Sequence, residues 1–302
     1  MGVADEERFL DDLIRRRAKS LARGKGLFIA PENLLAVRES ESVRRQPGYW
    51  LRLGSPREDD PAKSLDMREV ADRFPNVGKF AIDHRCRNIN ALAEIDTLEQ
   101  LYVQGIAEGE TLELKKFGKL EYFSFEASWR SIDFAGAQTR HIGVGDPTTG
   151  GDRFSIAKDI AVVSSLELIM VRSLNLNFVE YLHNLNSLEL HYMRRLRDLS
   201  GIRYATKSLE SLTISRISKD VDLSVIATAK GLQRLSMENM KIPSLDFLQN
   251  LPSLRFLNLM GSNVLDGRLA QLLDHSSLQE AYWDNRRHYD MKDVEFMSRR
   301  GC

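Results

Sequence analysis

One short pattern of apolar and polar positions recurs along most of this chain: leucine, two residues, an apolar residue, one residue, and a second apolar residue. Ten copies begin at residues 77, 98, 120, 139, 166, 185, 209, 232, 254 and 278, at intervals of 19 to 27 residues. The fourth and sixth positions are apolar and the fifth usually is not, so each copy predicts a short strand with one buried face. A repeat of this length indicates a solenoid.

Upstream of many copies the apolar spacing changes from two to three. Examples are Leu176, Val179, Leu182 and Leu185. A period of three is typical of a 3₁₀ turn, in which residues three apart lie on one side. Each unit therefore predicts a strand, a turn and a short helical return that bury a shared core by stacking on neighbouring units.

On these residues the chain resembles a leucine-rich repeat protein, of the short cytoplasmic bacterial type, over roughly residues 77–283. The most specific segment is IPSLDFLQNLPSLRFLNL, residues 242–259. The resemblance implies an α/β solenoid, a horseshoe of about ten units with a parallel concave sheet. Because terminal repeats need capping, we predict a helical N-terminal cap at 1–75, the repeat array at 76–285 and a short C-terminal cap at 286–302. The segment GYWLRLG, residues 48–54, predicts an extra edge strand.

The chain departs from the family pattern at the ninth position of the unit, where an Asn or Cys usually bonds the backbone of the turn. The residue there is apolar in five units and serine in two: Ile106, Leu174, Met193, Ile217, Met240, Ser128 and Ser262. An apolar side chain cannot bond the turn, so we expect neighbouring repeats or water to satisfy that backbone. The array should be irregular.

Composition narrows the classes of function. The 43 basic and 43 acidic residues cancel, which gives no support for binding nucleic acid or a membrane surface through net charge. No apolar run approaches the ~18 residues of a membrane span, and no secretory signal is recognised. Two cysteines are too few for the disulfide-bonded caps of exported repeat proteins. We therefore predict a cytoplasmic location and no membrane association.

The chain offers little recognisable site chemistry. Its six histidines form no HExxH motif and no CxxC occurs, so the spacing predicts no metal site and no cofactor. His84 and Cys86 could share a face of an extended segment, but a cysteine packed in the core is the favoured interpretation over a catalytic pair. The glycine-rich residues 143–153 lack phosphate-loop spacing and are interpreted as a repeat insertion. We predict that the chain is not an enzyme.

The most informative positions are the third, fifth and seventh of each copy, which point away from the core onto the predicted concave face. Across ten strands they hold six acids, three bases and several aromatics. Exposed aromatic and arginine side chains are enriched at protein interfaces. The candidate partner-binding residues are Tyr102, Tyr122, Glu126, Met170, Arg172, Glu189, His191, Arg234, Glu238, Phe256, Tyr282 and Asp284.

These features predict a non-catalytic protein-binding module whose partner is another protein, basic in character, held on the concave sheet. Neutralisation of a toxin, as by an immunity protein, or an adaptor role would fit. The alternative is a nucleic-acid-associated or enzyme-regulating factor that uses the basic residues of a predicted N-terminal helix, Arg15 to Lys25. Nucleic acid is the less favoured partner, because a mildly acidic sheet repels phosphate. A surface that merely faces solvent also remains open.

Overall fold

The computed structural model describes five stretches of the chain: 26–29, 49–53, 64–126, 131–145 and 162–300. The chain divides into two compact units, Met1–Thr139 and Arg140–Cys302. The predicted N-terminal helix lies outside the described residues.

The first unit is built on a parallel sheet in the order β1-β2-β4-β5-β7. Its strands are β1 (Gly26–Ile29), β2 (Tyr49–Leu53), β3 (Leu65–Asp66), β4 (Val77–Arg87), β5 (Gln100–Ile106), β6 (Leu112–Glu113), β7 (Tyr122–Phe125) and β8 (Ile132–Asp133). The helices among its described residues are α1 (Met67–Arg73) and two 3₁₀ segments, Ile89–Glu94 and Leu114–Lys116. Strand β6 pairs with β8 in a second, two-stranded sheet.

The sheet of the first unit begins earlier in the chain than the repeat pattern indicates. Strand β2 pairs in parallel with β4, so that Leu51 lies beside Phe80. The segment 48–54 therefore does contain the predicted strand. It is not an edge strand, however, because β1 pairs along its other side, with Leu27 beside Leu51. Three described strands within residues 1–75 thus belong to the sheet, since β3 also pairs with β4, with Leu65 beside Cys86.

Helix α1 begins at a well-defined cap. The Asp66 carboxylate accepts a hydrogen bond from the Arg68 backbone N–H at 3.1 Å and from its guanidinium at 2.9 Å. The hydrogen bond with the Arg68 side chain is the main cause that holds the pKa of Asp66 well below its usual range. The cap thus stays ionised through the neutral range.

The second unit contains a parallel sheet in the order β9-β10-β11-β12-β13-β15-β17. Its strands are β9 (His141–Gly145), β10 (Ser165–Ile169), β11 (Ser187–His191), β12 (Ser211–Ser215), β13 (Arg234–Glu238), β14 (Lys241–Ile242), β15 (Phe256–Asn258), β16 (Asn263–Val264) and β17 (Glu280–Tyr282). The returns are 3₁₀ segments, Asn177–Tyr181, Ser200–Ala205, Leu223–Thr228, Asp246–Asn250 and Ala270–Asp274, and the last helix is α2 (Asp293–Arg300).

The core follows the predicted periods of two and three. Leu188 and Leu190 of β11 are fully buried, and so are Leu212 and Ile214 beside them on β12. From the returns, Leu182 closes the other side of the same layer. Full burial of such a side chain contributes about 1.5–3 kcal/mol. The predicted solenoid of parallel strands and 3₁₀ returns is confirmed.

The strand register corrects one of the ten repeat starts. Leu166 pairs with Leu188 and Leu168 with Leu190, so the unit begins at Val163 and not at Leu166. Leu168, which the sequence pattern assigns to the exposed third position, is fully buried. The corrected unit follows Thr139 by 24 residues and precedes Leu185 by 22. The glycine-rich residues 143–153 therefore belong to a unit of ordinary length, and the predicted insertion is wrong.

A ladder of left-handed residues follows the strands of the second unit. The eighth position has positive φ, between 51° and 74°, in five successive units: Met170, Tyr192, Arg216, Asn239 and Gly261. The Met170 N–H donates to the His191 carbonyl at 2.8 Å, and the next unit repeats the bond from Tyr192 to Ser215. Each turn is therefore held by the next repeat, which replaces much of what the missing Asn or Cys does.

One turn is held by a polar side chain of the repeat that follows it. The Ser262 hydroxyl donates to the Met237 carbonyl at 2.7 Å and accepts from the Met240 N–H at 3.0 Å. It is buried, so it satisfies two backbone groups of the preceding unit away from water. Of the other ninth-position residues, Ser128 lies outside the described residues. Leu174 is not a ninth-position residue after the register correction.

Helix α2 covers the last strand of the second unit. Phe296 is fully buried and meets Trp283 edge-on, with ring centroids 6.0 Å apart. The Arg300 guanidinium donates to the carbonyls of Leu273 and His275 at 2.9 and 2.6 Å. The final repeat is thereby shielded by residues that lie within the predicted C-terminal cap.

The corrected register predicts that two leucines of one unit differ in how much they contribute to the free energy of unfolding. Leu168→Ala should lower the free energy of unfolding by about 2–5 kcal/mol, because it leaves a cavity in the core. Leu174→Ala should change it by less than about 0.5 kcal/mol, since Leu174 is 48% exposed. Urea unfolding followed by circular dichroism measures both. Equal losses of unfolding free energy in the two variants would contradict the repeat start at Val163.

The serine in the turn gives a second prediction. Ser262→Ala should destabilise the chain by about 1–3 kcal/mol, because it leaves a buried carbonyl and a buried N–H without their partner. The matched control is Ser276→Ala, at an exposed turn position. Thermal unfolding of both variants measures the difference. A loss no larger than that of the control would mean that Ser262 does not hold the turn.

Candidate functional site

The open face of the second unit is the side of its sheet that carries the third, fifth and seventh positions of each repeat. Its residues are His141, Gly143, Gly145, Ser165, Glu167, Ile169, Ser187, Glu189, His191, Ser211, Thr213, Ser215, Arg234, Ser236, Glu238, Phe256, Asn258, Met260, Glu280, Tyr282 and Asp284. The opposite side of the strands carries the buried leucines. Most side chains of this face are at least partly exposed, although Gly143, Gly145, Ile169 and Ser215 are buried.

Seven of the predicted partner-binding residues lie on this open face: Glu189, His191, Arg234, Glu238, Phe256, Tyr282 and Asp284. Met170 and Arg172 do not. Met170 lies beyond the end of β10 at the left-handed eighth position, and Arg172 follows it on the exposed outside of the turn. Their assignment to the face is wrong, because the predicted repeat start was displaced by three residues.

The remaining three predicted residues, Tyr102, Tyr122 and Glu126, belong to the first unit. They occupy the fifth, third and seventh positions of β5 and β7. Both tyrosines are half-buried. On the neighbouring strands Arg52 forms an ion pair with Asp83. The predicted residues thus fall into two separate sets.

Charge distinguishes the open face of the second unit. It carries five acids, Glu167, Glu189, Glu238, Glu280 and Asp284, against one arginine, Arg234. The register correction makes this face more acidic than the sequence pattern predicts, since it removes Arg172 and adds Glu167. Glu167 is the acidic residue of the open face that sequence reasoning missed. Starting the repeat at Val163, which gives more even intervals, would have found it.

An aromatic cluster lies at one end of this face. The Arg234 guanidinium stacks over the Phe256 ring, 4.2 Å from its centroid, and Phe256 meets Tyr282 with centroids 5.8 Å apart. Tyr282 and Met260 remain 37% and 46% exposed. Cation–π contacts at such exposed sites are worth about 0.5–1 kcal/mol. These contacts hold the three side chains against one another and leave part of Tyr282 and Met260 exposed.

The acids beside the cluster are held in place by hydrogen bonds. The Glu238 carboxylate accepts from the Ser236 hydroxyl and from the Asn258 amide, each at 2.8 Å. Asp284 accepts from the Gly261 backbone N–H at 2.8 Å. Fixed carboxylates lose less side-chain entropy on binding than free ones. This end of the face is a preorganised acidic and aromatic surface.

A second polar cluster lies on β10 and β11. Glu167 and Glu189 lie side by side in the parallel register. His191 Nε2 lies 3.2 Å from Glu189 Oε2 and 3.9 Å from Glu167 Oε1. One ligand-type atom of each residue falls within 4.8 Å of the other two. The three side chains therefore share one small region of the open face.

Cys86 of the first unit has the environment of a core residue. Its thiol is buried and donates to the Gly105 carbonyl at 3.2 Å. Burial, with a smaller contribution from the charge of Glu110, raises the pKa of Cys86 to about 12. The thiolate is the nucleophilic form, so this cysteine is poorly suited to catalysis near neutral pH.

Cysteine alkylation tests this environment. In a Cys302→Ser variant, the thiol of Cys86 should resist iodoacetamide between about pH 7 and 9, because its raised pKa and its burial both disfavour attack by the thiolate. The same variant unfolded in guanidinium should react readily. Mass spectrometry counts the alkylated thiols. Rapid labelling of the folded chain would contradict the assignment.

Within the part of the chain that the structure describes, no helix combines the length and the apolar character needed to cross a bilayer. No protein-family model matches the chain, and no curated protein sequence does.

Several solved structures of other proteins are similar to this chain over most of its length. An internalin from Listeria monocytogenes shares 16% identity, with a TM-score of 0.46 over 86% of this chain and 73% of that one. A leucine-rich repeat protein from Leptospira interrogans shares 14%, with a TM-score of 0.43 over 90% and 81%. TLR13, solved as a complex with ssRNA13, shares 17%, with a TM-score of 0.53 over 85% of this chain and 38% of its own. The chain has the leucine-rich repeat fold.

Proposed function

We propose that this chain is a non-catalytic scaffold that binds a basic protein on the open face of its second unit. The observation that carries the proposal is the excess of acids on that face, next to an exposed aromatic cluster. The net charge of the chain is zero, so the local excess is a property of the face and not of the whole composition.

The acid excess supports a protein partner of opposite charge. A surface with five acids and one arginine attracts basic groups and repels phosphate. Complementary charge mainly speeds association and excludes wrong partners. A basic protein is therefore favoured over a nucleic acid, although TLR13 is solved with ssRNA13 on the same fold.

The aromatic cluster supports a stable contact after association. Phe256 and Tyr282, with Met260 beside them, present apolar surface next to fixed carboxylates. Residues of this kind provide most of the binding energy at interfaces, where polar neighbours exclude water around them. We place the energetic centre of the contact at this end of the face.

A partner rich in basic residues fits a toxin-neutralising or adaptor role in the cytoplasm. Proteins that handle nucleic acids carry positive surfaces, and an acidic face can cover such a surface. The other candidate uses the basic residues Arg15 to Lys25, which lie outside the described residues. The dependence of binding on salt concentration distinguishes the two candidates, because binding to phosphate weakens steeply as ionic strength rises.

Site-specific photo-crosslinking identifies the partner and its location together. A photoreactive phenylalanine replaces Tyr282 on the open face or, as the matched control, Tyr204, which is 45% exposed on a 3₁₀ return. In native lysate the Tyr282 variant should form one specific protein adduct that the Tyr204 variant lacks. Adducts from the Tyr204 position alone would contradict the open face as the binding surface.

Charge reversal then tests whether the acids of the open face speed association with the partner. Against the partner so identified, Glu238→Lys with Glu280→Lys should slow association about tenfold or more at low salt, because a steering charge has been inverted. The effect should shrink at high salt through screening. The control pair, Asp220→Lys with Asp274→Lys, makes the same change in net charge at exposed residues outside the open face. Surface plasmon resonance measures the on-rates.

An unchanged on-rate in the Glu238/Glu280 pair, with a loss in the control pair, would place the partner elsewhere. Association of the chain with an RNA oligonucleotide, abolished by moderate salt, would favour the nucleic-acid alternative instead.

A further inference from the structure

We propose that Glu167, Glu189 and His191 form a binding site for one divalent transition-metal ion on the open face of the second unit. The three residues come from two adjacent parallel strands, β10 and β11. Their ligand atoms lie within 4.8 Å of one another. This inference does not depend on the proposed protein partner.

The donor set matches the chemistry of such an ion. Two carboxylate oxygens and one imidazole nitrogen are ligands that zinc, manganese and cobalt accept, with bonds of about 2.0–2.2 Å. Ligand atoms around an ion at these bond lengths lie roughly 3–3.5 Å apart. The separations from His191 Nε2 are 3.2 Å to Glu189 and 3.9 Å to Glu167. Rotation of the glutamate side chains closes the remaining gap without moving the strands.

The alternative to a metal ion is a hydrogen bond from an N–H at His191 Nε2. One N–H at Nε2 can serve Glu189 at 3.2 Å, whereas 3.9 Å to Glu167 exceeds hydrogen-bond range. A dication placed among the three contacts both carboxylates at once. It also offsets the repulsion of two carboxylates that lie side by side in register.

The cluster is partly buried: the side chains of His191 and Glu167 are 15% and 17% exposed, and that of Glu189 is 41% exposed. In register beside it, the third positions of β10, β11 and β12 are Ser165, Ser187 and Ser211, and the fifth-position neighbours are Gly143 and Thr213. These flanking side chains are small, and Glu189 is the most exposed of the three proposed ligands. On the same face of β9–β12, the only groups able to carry positive charge are His141 and His191. Three protein ligands also leave coordination positions for water or for an atom of another molecule.

Sequence motifs that require all metal ligands within one helix or loop cannot detect this site. Glu167 and Glu189 are 22 residues apart, which is one turn of the solenoid. The prediction of no metal site rested on the absence of pairs within one helix or loop. In a solenoid, consecutive repeats supply neighbouring ligands instead.

Titration of the purified full-length chain, without an affinity tag, with zinc chloride at pH 7.5 tests the site by calorimetry. We expect one ion per chain. Glu189→Gln and His191→Ala should each weaken binding at least tenfold, while Glu238→Gln and His141→Ala, on the same face outside the cluster, should leave it unchanged. Thermal unfolding verifies that all variants are folded.

Cobalt identifies the donor atoms independently. Bound Co²⁺ should show only the visible bands of oxygen and nitrogen ligation. A thiolate charge-transfer band would assign the ion to cysteine and overturn the site. Absence of saturable zinc binding by the unmodified chain, or binding that persists in both Glu189→Gln and His191→Ala, would also overturn it.

Discussion

The parallel register between successive repeats is the constraint on which the rest of this structure depends. Leu166, Leu188 and Leu212 lie side by side, so every unit places its fourth and sixth positions in the core. Because side chains alternate along a strand, this register also decides which residues reach the open face. Placing Leu168 in the core brings Glu167 to the surface. The charge of the face, and each role inferred for it, follows from that alignment.

The same register places equivalent residues of successive repeats side by side across the sheet. Residues about 22 positions apart become neighbours, such as Arg234 beside Phe256 and Glu167 beside Glu189. The first pair is attractive, and its rings and guanidinium stack. The second places like charges together, an arrangement that costs stability in a sheet. This pair, next to His191, is the observation from which the metal site is inferred.

Much of the fold could be predicted because the periods of two and three directly reflect burial on a strand and on a 3₁₀ return. The repeat start near Leu166 could not. Leu166, Ile169 and Val171 are all buried, so the pattern is satisfied by either alignment. The cause is Met170, whose left-handed backbone interrupts the alternation after β10 and returns Val171 to the core. Sequence alone does not show a left-handed methionine. Downstream of Leu185 the strand register agrees with the sequence pattern, since no such ambiguity occurs there.

The two inferred roles of the open face are physically coupled. A dication at Glu167 and Glu189 would neutralise two of its five acids, which reduces the attraction for a basic protein. A ligand atom from the partner could instead complete the coordination of the ion, and metal and partner would then strengthen one another. Linkage requires the effect to be reciprocal in either case. The sign of that coupling therefore distinguishes a metal that competes with the partner from one that joins it to the scaffold.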